Sequence, residues 1–200
     1  MAYPSGVDHD AFMREAMAAA EQARGHTGDN PWVGCVIVDV SGRVVARGFT
    51  RGPGEDHAEI GALRAARGLG VDLHGATLYS TLEPCSFHGR TPACAKVVAE
   101  CGVSRLVFAM RDPHPRVDGA GAAIVREAGL EVVEGVAEAD VRRQLAPWVL
   151  AQHPHDIARR FRDLVAAGRS EHEALEALVG AFGLSETDLR SAAHHLEKVQ

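Results

Sequence analysis

Residues 105–134 read RLVFAMRDPHPRVDGAGAAIVREAGLEVVE, and the change of period inside this stretch decides the fold class. Arg105–Met110 reads as a strand, apolar from Leu106 on, Gly119–Ala128 places its apolar residues at helical spacing, and Leu130–Glu134 is short and β-branched again. A strand, a helix and a second strand are joined by a crossover, not a hairpin turn. The two strands therefore lie parallel, with the helix packed on the sheet.

The same alternation continues outward. Upstream, Thr77–Thr81 is an extended run followed by a helix over Pro92–Cys101, and Ala58–Leu69 is helical through Ile60, Leu63 and Ala66. Further back, Val33–Asp39 and Arg43–Phe49 flank the turn signal Ser41-Gly42 and read as a hairpin. A first helix spans Asp8–Ala23, with Phe12, Ala16, Ala19 and Ala23 on one face and Gly25 just past its end. Downstream, Ala137–Leu150 reads as one helix. The expectation is an α/β domain over residues 1–151, a mixed sheet flanked by helices in three layers.

Gln152-His153-Pro154-His155 interrupts this pattern, so a boundary is placed there. Residues 152–200 read as a small all-α module. Its amphipathic stretches are marked by Ile157, Phe161, Leu164 and Val165, by Leu175, Leu178, Val179 and Phe182, and by Leu189, Ala193 and Leu196. Gly168 and Gly183 suit C-terminal caps; Ser170 with Glu173 and Ser185 with Asp188 suit capping boxes. The module is expected to support assembly. Its turn at Ala181–Ser185 is like that of a helix-turn-helix, but the next helix opens on Glu186-Thr187-Asp188 and offers little beyond Arg190 to a phosphate, so DNA binding is not expected.

Composition narrows the partners. With 46% apolar and 24% charged residues in a chain of 200, a core can form. A net charge of −6 without a basic run disfavours a nucleic-acid backbone, which leaves small molecules. No stretch approaches the ~20 apolar residues of a membrane helix, and Met1–Asp10 lacks a basic and apolar leader pattern, so a cytoplasmic location is expected. The four cysteines, Cys35, Cys85, Cys94 and Cys101, are too few for a disulfide framework.

The chemistry gathers at His57-Ala58-Glu59, Pro84-Cys85 and Cys94. One His and two Cys supply three ligands to Zn²⁺ and leave the fourth tetrahedral position to water, the layout of a catalytic site. Two thiolates and a neutral imidazole balance the charge of the ion. Glu59, in the first turn of its helix, is placed to face that water. Thr91-Pro92 fits an N-cap and first helical residue, which would put Cys94 in the first turn of the following helix. A closed structural zinc is the competing reading of the same donors.

His57-Ala58-Glu59 with Pro84-Cys85 resembles the signature of the cytidine-deaminase-like zinc deaminases. The longer loop from Cys85 to Cys94 resembles that of the deaminase domain of riboflavin-biosynthesis bifunctional deaminase/reductases. Asn30-Pro31-Trp32-Val33-Gly34, Thr81-Leu82-Glu83-Pro84-Cys85 and Met110-Arg111-Asp112-Pro113 extend the resemblance over about Asp8 to Leu145. It implies hydrolytic loss of an amino group from a diaminopyrimidine ribosyl-phosphate, with Glu59 as the proton carrier. It also implies substrate contacts from Asn30, Arg90, Thr91 and Asp112, of which Arg90 and Thr91 suit a phosphate. A homo-oligomer, in the first place a dimer, is implied too. About 50 helical residues stand where the family has its reductase, so the reductase is expected on a separate chain.

Where the family usually has His, this chain has Thr50; where it reads CSH, this chain has Phe87; and where DPNPxVAGRG is typical, it has His114, Asp118 and Ala120. A related but different amino-heterocycle is therefore the alternative substrate, and a non-catalytic adaptor on a deaminase scaffold the distant one. Cys35 and Cys101 read as packed thiols, and Trp32 and Trp148 as packing residues. His88 suits substrate orientation and a solvent-facing loop equally.

Overall fold

The computed structural model describes residues 7–87, 92–113, 117–152 and 161–182. The chain divides into two compact units, Met1–Glu138 and Ala139–Gln200. The boundary expected at 151/152 falls inside the second unit.

The first unit is built on a five-stranded mixed sheet of order β2-β1-β3-β4-β5. The strands are β1 (Gly34–Val38), β2 (Val44–Phe49), β3 (Thr77–Leu82), β4 (Arg105–Met110) and β5 (Glu131–Glu134). β1 pairs antiparallel with both β2 and β3, while β3, β4 and β5 run parallel. Every residue of β3 and β4 is buried, whereas β5 at the edge is only partly covered. β4 is apolar from Leu106 on, as befits a strand covered on both faces, while β3 also buries the hydroxyls of Thr77, Ser80 and Thr81. Full burial of Leu78, Leu106 and Phe108 contributes about 1.5–3 kcal/mol each.

Helices α1 (His9–Ala20) and α2 (Ala58–Gly68) cover opposite faces. Asp8 caps α1 by accepting the Ala11 N–H at 2.9 Å, and a 3-10 turn, Glu21–Ala23, continues the helix to the expected end. On the other face, a Cβ placed on Gly48 would lie 2.2 Å from the Ala58 carbonyl oxygen and 2.3 Å from the Ala62 nitrogen. Only a glycine lets the start of α2 rest on β2 this closely. The remaining helices of the unit are α3 (Cys94–Glu100) and α4 (Ala120–Glu127).

Two expectations are corrected. Pro92 is not helical: α3 begins at Cys94 with Ala93 as its N-cap, and no side chain caps it, so the cysteine is the first helical residue. Ala137–Leu150 is two helices, α5 (Glu138–Gln144) and α6 (Ala146–Gln152). Pro147 explains the break, since it lacks the N–H that a continuous helix would need there and is tolerated only in a first turn.

In the second unit, residues 161–166 are helical, and α7 spans Glu171–Phe182. Its capping box forms as expected: Glu173 N–H donates to Ser170 Oγ at 3.2 Å and Ser170 N–H to Glu173 Oε2 at 2.8 Å. Gly168 takes the left-handed conformation, φ 91°. The third expected helix, with Gly183, Ser185, Asp188 and Arg190, lies outside the described residues. Among the described residues no helix is long and apolar enough to cross a membrane.

Candidate metal centre

Three junctions meet at one edge of the sheet. β2 and β3 run the same way, so the segment from Phe49 to His57 and the segment from Leu82 to Cys85 leave from the same edge, beside the start of antiparallel β1. β4 is parallel to β3, and its exit at Arg111 joins them. Sites of α/β sheets form at such edges, where loops diverge and helix N-termini point inward.

His57 is the N-cap of α2, in extended conformation, and its carbonyl accepts the Gly61 N–H at 2.9 Å. This turns the imidazole off the helix end. Its Nδ1 stands 3.4 Å from Cys94 Sγ and 3.7 Å from Cys85 Sγ, and the three ligand atoms all lie within 4.8 Å of one another. A tetrahedral zinc with its usual bond lengths needs about 3.6 Å between nitrogen and sulfur ligands. The donors present fit that ion in kind and in spacing.

The start of α3 organises the cysteines. Cys94 N–H donates to Cys85 Sγ at 3.3 Å, and Ala95 N–H to the Cys85 carbonyl at 3.1 Å. Hydrogen bonding from Cys94, and after it from His57, holds the Cys85 thiol well below the usual thiol range against the opposing effect of burial. Cys94 moves the other way, because it shares its proton with Cys85 and is buried beside it. The His57 imidazole is raised, first through its hydrogen bond with Cys85.

Glu59 is 3% exposed. Burial pushes its carboxyl up to about 7, although the neighbouring His57 pulls against this. A carboxyl titrating near neutrality can accept and return a proton in one cycle.

The other expected site residues divide. Asn30 lies in the turn leading to β1, where Thr27 Oγ1 donates to its carbonyl at 2.7 Å. Asp112 follows β4 and is half-buried. His88, Arg90, Thr91 and His114 lie outside the described residues. Thr50 is buried, and its hydroxyl accepts the Val33 N–H at 3.1 Å, so this side chain bonds to the backbone. Phe87 is half-buried; Asp118 and Ala120 are exposed at the start of α4. Cys35 is fully buried, and Cys101 donates to the Val98 carbonyl at 3.1 Å. Trp32 packs against the Arg24 guanidinium, 5.4 Å from its ring centre.

A family model of the cytidine and deoxycytidylate deaminase zinc-binding region matches residues 7–110. The chain belongs to this deaminase family. Among its relatives, the riboflavin biosynthesis protein RibD of Actinobacillus pleuropneumoniae is 47% identical over 125 residues, 62% of this chain and 32% of that protein. RibD of Escherichia coli strain K12 is 44% identical over 130 residues, 65% of this chain and 34% of that protein. The crystal structure of a Thermotoga maritima diaminohydroxyphosphoribosylaminopyrimidine deaminase/5-amino-6-(5-phosphoribosylamino)uracil reductase superposes with a TM-score of 0.67 at 41% identity. That superposition covers 70% of this chain and 40% of the other. The deaminase-family match thus spans about a third of the length of the curated relatives, and the cytidine-deaminase-like fold is shared with them.

Sequence reading missed Glu83 as a functional candidate. The run Thr81–Cys85 entered only as part of a resemblance. The signal available was a carboxylate inside an apolar run, one residue before Pro84-Cys85.

Proposed function

We propose that this chain removes an amino group hydrolytically from a diaminopyrimidine carrying a ribosyl-phosphate chain, releasing ammonia. The observation that carries the reading is the meeting of His57 Nδ1, Cys85 Sγ and Cys94 Sγ at ligand spacing beside the buried carboxyl of Glu59. The identity to riboflavin biosynthesis proteins supports the substrate class.

His57, Cys85 and Cys94 would hold zinc. When bound, zinc supplies the Lewis acidity that makes water nucleophilic at neutral pH. Glu59 takes a proton from the attacking water on its carboxylate oxygen, delivers it to the ring nitrogen, and assists the departing amine. Its burial keeps the proton within the site. Asn30 and Asp112 orient the heterocycle, and Arg90 and Thr91 grip the phosphate. The deaminase domain is taken as residues 1–151, with residues 152–200 supporting a cytoplasmic homo-oligomer.

One observation favours a second reading, a deaminase acting on a different amino-heterocycle. The Thr50 hydroxyl is engaged with the Val33 backbone, so the position where the resemblance expects an imidazole offers this one none. Ammonia release from the zinc-loaded full chain, over phosphorylated and free aminopyrimidines, aminopurines and nucleosides, separates the two. Turnover of the phosphorylated diaminopyrimidine is expected; turnover of unphosphorylated compounds alone would overturn the first reading. Glu59→Gln should lose about 100- to 10,000-fold in kcat while retaining zinc. Full activity in that variant would reduce the metal to a structural part.

A further inference from the structure

We propose that Glu83 is a positioning residue that fixes the Cys85 ligand loop against the N-terminus of α4 and so sets the metal affinity of the site. The inference rests on the reading of His57, Cys85 and Cys94 as ligands. Glu83 lies just past the end of β3, two residues before Cys85, and is 2% exposed. A carboxylate this deep is costly unless its oxygens are hydrogen-bonded. Both are: Oε2 accepts the Gly119 N–H at 2.9 Å, and Oε1 accepts the Ala122 N–H at 3.0 Å.

These donors are the N-cap residue and third residue of α4. That helix has no cap from its own sequence, because Gly119 carries no side chain and sits at φ 90°. Glu83 therefore supplies from β3 the acceptors that a Ser or Asp at the N-cap would supply locally, and its charge faces the positive end of the helix.

The consequence reaches the ligand loop through consecutive residues. The Glu83 N–H donates to the Met110 carbonyl at 2.9 Å, which ties it to the end of β4. A Cβ on Gly121 would stand 1.9 Å from the Pro84 carbonyl oxygen, so the backbone of α4 lies directly on that peptide. The Cys85 carbonyl is then taken by Ala95 N–H, at the start of α3. Residues 83–85 are thus clamped between α4 and α3, and the side chain of Glu83 supplies the two hydrogen bonds of the clamp to the start of α4. The same helix follows the segment that carries Asp112 and Asp118, so Glu83 joins the metal half of the site to the half expected to meet substrate.

An ordinary helix cap would change stability alone, and metal affinity distinguishes the two roles. Zn²⁺ affinity would be measured on the full chain by competition with a chromophoric chelator, and the Co²⁺ absorption spectrum recorded to report the geometry of the thiolate ligands. Wild type, Glu83→Ala, Glu83→Gln and Asp8→Ala would be compared, with metal-free thermal midpoints for each. Asp8 caps α1 and serves as the control for cap loss alone.

Glu83→Ala is expected to weaken zinc about 10- to 100-fold, the range for partners that orient metal ligands, and to alter the Co²⁺ spectrum. Asp8→Ala should lower only the midpoint. Glu83→Gln keeps one acceptor oxygen and should fall between wild type and alanine, and it decides the matter if the alanine variant does not fold. Unchanged zinc affinity in a folded Glu83 variant, with only a lower midpoint, overturns the proposal and leaves the ligand assignment standing. A wild type that binds no zinc overturns the ligand assignment and the proposal together.

Discussion

Two carboxylates of this protein are displaced in opposite directions by opposite causes. Glu59 is raised because burial disfavours its charge, whereas Asp39 is lowered to about 2, first through the hydrogen bond from Ser41. Asp39 closes the β1–β2 hairpin, accepting from Ser41 N–H at 2.9 Å, Ser41 Oγ at 2.6 Å and Arg43 N–H at 3.1 Å, with the Arg43 guanidinium at 2.9 Å. Its folded value lies below the unfolded one of about 3.9, so its stabilisation is complete above that value and is lost as pH falls towards 2. Asp39→Ala should cost about 1–2 kcal/mol near neutral pH. Denaturant midpoints at pH 7 and pH 2.5 would show the variant's deficit shrinking at the lower pH. An equal deficit at both would remove Asp39 from the acid response.

At the scale of elements, the start of α2 matters most, because it carries His57 and Glu59 and rests on a glycine. Gly48→Ala would force a methyl group against the Ala58 carbonyl and the Ala62 nitrogen, both backbone atoms that no rotamer change can move. A cost of about 1–3 kcal/mol is expected, typical of overpacking. Because strand and helix must separate to relieve the clash, zinc affinity should fall along with the urea midpoint. A variant with a lowered midpoint and unaltered zinc affinity would show that the sheet yields and the helix start does not. The late start of α3 follows a similar logic. Cys94 is placed by the contact of α3 with the Cys85 loop, and a local Thr-Pro pattern did not report that contact.

For the whole molecule, the candidate donors come from two junctions that lie far apart along the chain. His57 follows β2, while Cys85 and Cys94 flank the connection after β3, so an ion held by all three binds the folded chain in preference to the unfolded one. Zinc at a hundredfold excess over its Kd should add about 2.7 kcal/mol. That corresponds to a rise of several degrees in Tm, at about 2–4 °C per kcal/mol for a chain of this size. Cys94→Ser should keep the fold and lose most of that rise. An equal zinc-dependent rise in wild type and Cys94→Ser would exclude Cys94 as a ligand.

The amino-acid order was sufficient for the alternation of strand and helix and for the cluster of candidate donors, though not for the start of α3 or the break between α5 and α6. The absence of a helical period separates the buried runs Thr77–Leu82 and Arg105–Met110 from the helices between them, because a strand covered on both faces is mostly apolar, β-branched or small. That His57, Cys85 and Cys94 come together was legible from their order at successive strand ends. What no local pattern carried was the geometry between elements. The strand order brings β1 between β2 and β3, the approach of α2 to Gly48 sets the start of that helix, and the Glu83 carboxylate reaches residues 119 and 122. The helix and carboxylate contacts join positions 10 to 39 residues apart and the pairs of β1 with β3 join positions 39 to 45 apart, and packing and hydrogen bonding select them only when the whole sheet is assembled.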